Sequence, residues 1–277
     1  MKRVLTALVL VPVLIAIIGY APPLCFLLLV WGASALALEE YFSLATHSGL
    51  EVFRVSGHGS SLLLLSSLYG SATNVTNSWT VLLVLVASLL LFFTLGLRRG
   101  NRLPTVLPGI AATLAGLLYV SLTLGLLIVI QVSPTSWGPG KQWVFFLLLV
   151  VWFGDTGAYY VGRAFGRHAL APLISPKKTI EGALGGLLGN ILAAFLGRQV
   201  LLPDAPLGQL LLLGMLLGIV SQIGDLSESA LKRGAGVKDS SNLLPGHGGM
   251  LDRIDGVLFA SPVMFGYLAL CHGNKIS

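Results

Sequence analysis

Long apolar runs alternate with short polar breaks along this chain. Runs over 4–20, 23–38, 58–73, 79–97, 106–131, 142–161, 182–201, 207–224 and 256–272 carry almost no charge. Most approach the roughly 20 apolar residues that cross a bilayer as a helix. Backbone polar groups must be satisfied internally in lipid, and a helix does that within one segment. The pattern therefore predicts an all-α polytopic membrane protein with about nine transmembrane helices. Runs 58–73 and 256–272 are short for a full crossing. Run 106–131 is long and holds Gly109 and Gly116, so it is expected to tilt or break.

Basic residues orient these spans. With a cytoplasmic N-terminus and strict alternation, fourteen of the seventeen Lys and Arg fall on the cytoplasmic side. Only Lys141, Arg198 and Lys275 fall on the other. This is the positive-inside asymmetry, and it predicts an odd number of spans. The opening MKRVLTALVLVPVLIAIIGYAPP has the basic start and apolar run of a signal peptide. No small-x-small cleavage site follows it, and a second apolar run begins at once. A retained first helix is expected.

Composition agrees with the pattern. Of 277 residues, 55% are hydrophobic and only 10% charged, against about 25% charged in a soluble domain. The net charge of +6 speaks to topology and to anionic lipid or nucleotide partners, not to nucleic acid. Cys25 and Cys271 lie far apart in apolar runs and are expected to be free thiols. Three of the eleven acids, Glu39, Glu40 and Glu51, precede Asp155; the other eight lie from Asp155 onward. Residues 1–140 thus look like membrane scaffold and 141–277 like the catalytic region, within one integrated membrane domain.

Three stretches of the second half carry candidate chemistry. In the first, Trp152–Gly182, Asp155 closes an apolar helix, and a carboxylate there is expensive unless paired or metal-bound. Ser175, Lys177 and Lys178 then precede a new helix, offering a hydroxyl, ammonium groups and a helix N-terminus to phosphate oxygens. A solvated basic loop is the alternative. In the second, Ser221–Arg233, Asp225 and Glu228 are spaced i, i+3 and share a helix face. Such a pair is a metal or cation-relay site; a Glu228–Lys232 ion pair is the alternative. In the third, Lys238–Asp255, Asp252 and Asp255 repeat the i, i+3 spacing at the start of the last span. Mg²⁺ takes hard oxygen ligands, typically one or two carboxylates plus substrate phosphates. Lys232, Arg233, Lys238 and Arg253 would hold those phosphates. Gly246, Gly248 and Gly249 let backbone approach a ligand, and His247 is placed to donate to phosphate or move a proton.

The stretch SALKRGAGVKDSSNLLPGHGGMLDRID, Ser229–Asp255, resembles the signature of the phosphatidate cytidylyltransferases, the CDP-diacylglycerol synthases. The match runs through Ser229, Lys232, Arg233, Lys238, Asp239, Pro245, Gly246, His247, Gly248, Gly249, Asp252, Arg253 and Asp255. The upstream GDTGAYYVGRAFGRHALAPLISPKKTIEG and SQIGDLSES resemble the family too; Ala169 departs, where a basic residue is expected. The resemblance implies transfer of the cytidylyl group of CTP to phosphatidate, with pyrophosphate released. It implies a Mg²⁺ centre built on Asp225 and Asp252 with Asp255 close by, and K⁺ as a further occupant. It also implies a lipid bilayer setting in the cell inner membrane, with the active site facing the cytoplasm. Glu228 joins the acids as a metal candidate, and Asp239 joins Asp155 and the basic residues as a substrate contact. Gly185, Gly186 and Gly189 in the seventh span suit a homodimer or equally an internal packing face.

Two other readings compete. A CDP-alcohol phosphotransferase shares the D-x-x-D-G string at Asp252–Gly256, but the Arg and further acids it needs are missing downstream. A cation-coupled transporter would use Asp155, Asp225 and Asp252 as intramembrane ligands, yet it needs an internal repeat and midplane acids. The acids here lie at helix ends beside basic loops.

Overall fold

A computed structural model describes residues 2–241 and 248–272, with backbone alone at 2–10, 100–101 and 272. The helices are α1 Lys2–Tyr20, α2 Pro23–His47, α3 Arg54–Ala72, α4 Trp79–Gly96, α5 Val106–Gly116, α6 Thr123–Val132, α7 Gly140–Phe165, α8 Ile180–Val200, α9 Leu207–Gly234 and α10 Leu251–His272. A π turn at Leu117–Leu122 joins α5 to α6. Every apolar run of the sequence is helical. Among the described residues, seven stretches are long and apolar enough to cross a membrane: α2, α4, the α5–α6 rod and α7 to α10. The 19 residues of α3 are interrupted by Ser, Gly and His; the described apolar part of α1 is Val11–Tyr20.

Helix ends differ most from the apolar runs. α2 continues past residue 38 to His47, α9 past 224 to Gly234, and α10 starts at Leu251 rather than 256. Hydropathy stops at the first charges, whereas backbone hydrogen bonding does not. The extra turns carry Glu39, Glu40, Asp225, Glu228, Asp252 and Asp255. Among the described residues two antiparallel hairpins accompany the helices, β1 Pro134–Thr135 with β2 Gly138–Pro139, and β3 Ala169–Ala171 with β4 Ser175–Thr179. Ser175–Thr179, which leads into α8, is therefore a strand.

The chain divides into two compact units, Met1–Val129 with Leu231–Arg253, and Ile130–Ala230 with Ile254–Ser277. The first unit has a core of Leu38, Phe42, Leu64, Leu65, Phe92 and Leu117. Three buried hydroxyls close on one another there: Ser34 donates to Ser121 at 3.1 Å, Ser121 donates to Ser61 at 2.8 Å, and Ser61 lies 3.2 Å from Ser34. Each hydroxyl would cost free energy if buried alone.

In the second unit α7 and α8 pack through glycine. A Cβ at Gly157 would stand 2.5 Å from the Gly185 carbonyl oxygen, one at Gly185 2.4 Å from Val161, and one at Gly189 2.5 Å from the Phe153 carbonyl. The glycine face on α8 is thus an internal packing face. Asn190, 1% exposed, donates to the Val150 carbonyl at 2.8 Å. A Cβ at Gly154 would meet the Asn190 side chain at 2.2 Å. Gly154→Ala is expected to cost about 1–3 kcal/mol by overpacking, read as a lower thermal midpoint in detergent. An unchanged midpoint would mean that Asn190 swings aside freely.

Candidate active site

Small residues bring α9 and α10 close in the second unit. A Cβ at Gly224 would stand 2.6 Å from the Asp255 carbonyl oxygen, and one at Gly256 2.4 Å from the Ser221 hydroxyl. With no side chain at either position, the acids of the two helices converge. One ligand oxygen each from Asp225, Glu228 and Asp255 lies within 4.8 Å of the others. Glu228 is fully buried, and its two partners are half-buried. Lys178, on β4, places its ammonium 2.5 Å from Asp225. Asp255 accepts a hydrogen bond from the Gly256 amide at 2.7 Å.

Three carboxylates this close repel one another, and burial raises the cost. The donor set is oxygen only, which suits a hard cation such as Mg²⁺ and not a soft one. The chemistry of the group thus fits a divalent ion.

In the first unit Asp252 and Lys232 form the second constellation. They meet at 2.5 Å, with side chains 8% and 12% exposed. The other oxygen of Asp252 accepts from the Gly249 amide at 2.8 Å, the Ser240 hydroxyl at 2.9 Å and the Ser240 amide at 3.2 Å. Gly248 has φ +77°, and a Cβ there would stand 2.7 Å from Asp252. At Gly249 a Cβ would stand 2.0 Å from the Ser240 hydroxyl and 2.3 Å from Glu40. These two glycines are required by the fold of the stretch itself. α9 ends in a left-handed turn at Gly236, φ +70°, with the Val237 amide bonded back to the Lys232 carbonyl at 2.9 Å. That turn aims the chain from Lys232 toward Ser240.

The remaining candidates fall as follows. Arg233, Lys238, Asp239 and Arg253 are exposed, and Arg233 donates to the Val237 carbonyl at 3.1 Å. Lys177 is exposed and Ser175 half-buried on β4. Asp155 does not close its helix: α7 runs on to Phe165 and leaves Asp155 exposed. The N-terminus of α8 is partly used by its own residues, because Thr179 accepts from the Gly182 amide at 3.1 Å. Glu181, in the first turn, accepts from the Arg167 and His168 amides at 3.1 and 3.2 Å. Gly246 and His247 lie outside the described residues.

Glu40 was not a sequence-level candidate. It is 5% exposed on α2, and both of its oxygens accept hydrogen bonds from the Ser240–Leu251 stretch. A signal for it existed. Ala37, Tyr41 and Leu44 form a helical stripe, and Glu40 shares that buried face.

A sequence model of the cytidylyltransferase family matches residues 1–271. The chain is 46% identical over 131 residues to the phosphatidate cytidylyltransferase of Bacillus subtilis, covering 47% of this chain and 49% of that protein. It is 46% identical over 125 residues to that of Staphylococcus epidermidis, covering 45% and 48%. It is 44% identical over 145 residues to that of Synechocystis sp., covering 50% and 48%. The chain spans about half the length of the curated relatives it matches.

Proposed function

The chain belongs to the cytidylyltransferase family, and on that premise we propose that it transfers the cytidylyl group of CTP to phosphatidate. A phosphatidate oxygen forms a bond to the α-phosphorus of CTP. The bond from that phosphorus to the β-phosphate oxygen breaks, giving CDP-diacylglycerol and pyrophosphate. The observation that carries this reading is the convergence of Asp225, Glu228 and Asp255 within 4.8 Å, beside Lys178.

Both substrates are anions, so their approach requires positive charge. Asp225, Glu228 and Asp255 would hold Mg²⁺, and Asp252 is the further ligand the family signature suggests. Bound there, the ion supplies charge stabilisation on phosphate oxygens and on the departing pyrophosphate. Lys177, Lys178, Lys232, Arg233, Lys238 and Arg253 neutralise the remaining phosphate charge, with the exposed guanidinium groups suited to bidentate contact. The attacking phosphatidate oxygen is already ionised at neutral pH. No strong general base is needed, and His247 is assigned to phosphate orientation.

We place the reaction at the cytoplasmic face of the cell inner membrane, with the N-terminus on that side. The support is the Lys and Arg asymmetry together with the substrates themselves. Phosphatidate keeps its tails in lipid, and CTP is water-soluble. Protein in liposomes, supplied with labelled CTP and Mg²⁺, is expected to form lipid-bound CDP only when phosphatidate is present. Excess chelator is expected to stop it. CTP left intact under the complete conditions would end this reading. Label transferred without phosphatidate would point to different chemistry.

A further inference from the structure

We infer that Glu40 of α2 is a positioning residue for the signature stretch, acting through its clamp on Ser240–Ser241 and Met250–Leu251. One carboxylate oxygen accepts from the Ser241 hydroxyl at 2.6 Å and the Met250 amide at 2.9 Å. The other accepts from the Ser240 hydroxyl and the Leu251 amide, both at 2.8 Å. All four donors are neutral, and the carboxylate is 5% exposed.

The arrangement has two consequences. The Met250 and Leu251 amides stand at the start of α10, where a helix has no internal acceptor for its first N–H groups. Glu40 supplies that acceptor from another helix, 210 residues away from Met250 along the chain. It also ties both flanks of the 242–247 segment to one point. The Ser240 hydroxyl reaches Glu40 at 2.8 Å and Asp252 at 2.9 Å, so the clamp and the Asp252 constellation share a group. Its single proton serves one acceptor at a time, which couples the two carboxylates. Glu40 touches no phosphate in this scheme. It acts on the reaction by fixing where Asp252 and the glycines stand.

The kinetic part of this inference rests on the proposed cytidylyl transfer; the clamp itself does not. Glu40→Gln is the direct test. The amide keeps one acceptor oxygen and turns an NH₂ group toward one serine hydroxyl and one backbone amide; the hydroxyl must turn round to accept, and the backbone amide is left donor against donor. In the full-length protein in detergent, hydrogen exchange over residues 248–252 is expected to accelerate tenfold or more, with α7 and α8 unchanged. The KM for CTP is expected to rise tenfold or more, with the KM for phosphatidate within twofold. A purely structural role would lower the active fraction, and so the apparent kcat, without moving either KM. Parent-like exchange over 248–252 overturns the clamp. Accelerated exchange with both KM values unmoved overturns the positioning role. Ser241→Ala removes one of the four bonds and serves if the Gln variant does not fold. It is expected to raise the KM for CTP about two- to threefold, and an unmoved KM there also overturns the proposal. Parent protein that never consumes CTP would sink the proposed function, while the exchange result would still decide the clamp.

Discussion

Asp225→Asn is expected to lower kcat/KM for CTP about 10³-fold, close to 4 kcal/mol of transition-state stabilisation, while leaving the metal-free protein no less stable than the parent. Asn preserves shape and one carbonyl oxygen. It removes one of three carboxylates whose oxygens lie within 4.8 Å of one another. At that separation each like-charge pair repels by roughly 3 kcal/mol in a medium of effective dielectric near 20. The substitution takes Asp225 out of any such pair. Against that it loses the Lys178 partner, a pair 28% and 39% exposed, and pairs this accessible contribute only about 0–1 kcal/mol. Relief exceeds loss, so without metal the fold should hold. Mg²⁺ at 100 times its Kd would stabilise the parent by about 2.7 kcal/mol, and much of that increment should vanish in the variant. The check is a thermal midpoint with and without Mg²⁺ beside the labelled-CTP assay. Activity within tenfold of the parent, or a full Mg²⁺ increment, would remove Asp225 from the metal site.

The second large effect lies at the Lys232–Asp252 pair, which meets at 2.5 Å with side chains 12% and 8% exposed. Lys232→Met should destabilise the protein by about 3–5 kcal/mol, because it strips the ammonium from a carboxylate that burial has cut off from water. Adding Asp252→Asn in the same chain should recover about 1–3 kcal/mol of that loss. The amide retains an acceptor for the Gly249 and Ser240 donors and no longer carries the charge. Turnover should not recover, since both charges belong to the proposed machinery. Asp252→Asn alone should abolish turnover in protein that still inserts and folds. A double variant as unstable as Lys232→Met alone would show that the pair contributes nothing beyond its separate hydrogen bonds. Near-normal turnover in Asp252→Asn would remove that residue from the site.

Much of the fold was readable from apolar patterning because bilayer thickness imposes one length on every span. Among the described residues, the positions of the seven stretches able to cross a membrane follow from that length. Their ends do not. A helix keeps its backbone bonds past the last apolar residue, so α9 carries Asp225 and Glu228 as helical residues beyond the hydropathic edge. The i, i+3 spacing of Asp225 and Glu228 was legible because it is local. Their meeting with Asp255 was not, because it depends on Gly224 and Gly256 letting two distant helices touch. The helix boundary at Asp155 differs in the opposite direction. An acid after an apolar run reads as a helix end, yet α7 continues for ten residues and leaves it exposed. Glu40 and Glu39 are adjacent acids that composition alone does not distinguish. Helical geometry splits the two, exposing Glu39 and burying Glu40.

By itself the sequence determined the all-α membrane architecture, the helix positions and the stretch where catalytic residue types gather. These depend on composition, period and spacing, which act over one or two turns. Only the tertiary structure decided which carboxylates share a point, which cation meets which acid, and that an acid of α2 anchors the start of α10. Those outcomes rest on contacts between residues tens to hundreds of positions apart. They are set by where glycine and serine allow backbones to approach, and no local pattern encodes that distance.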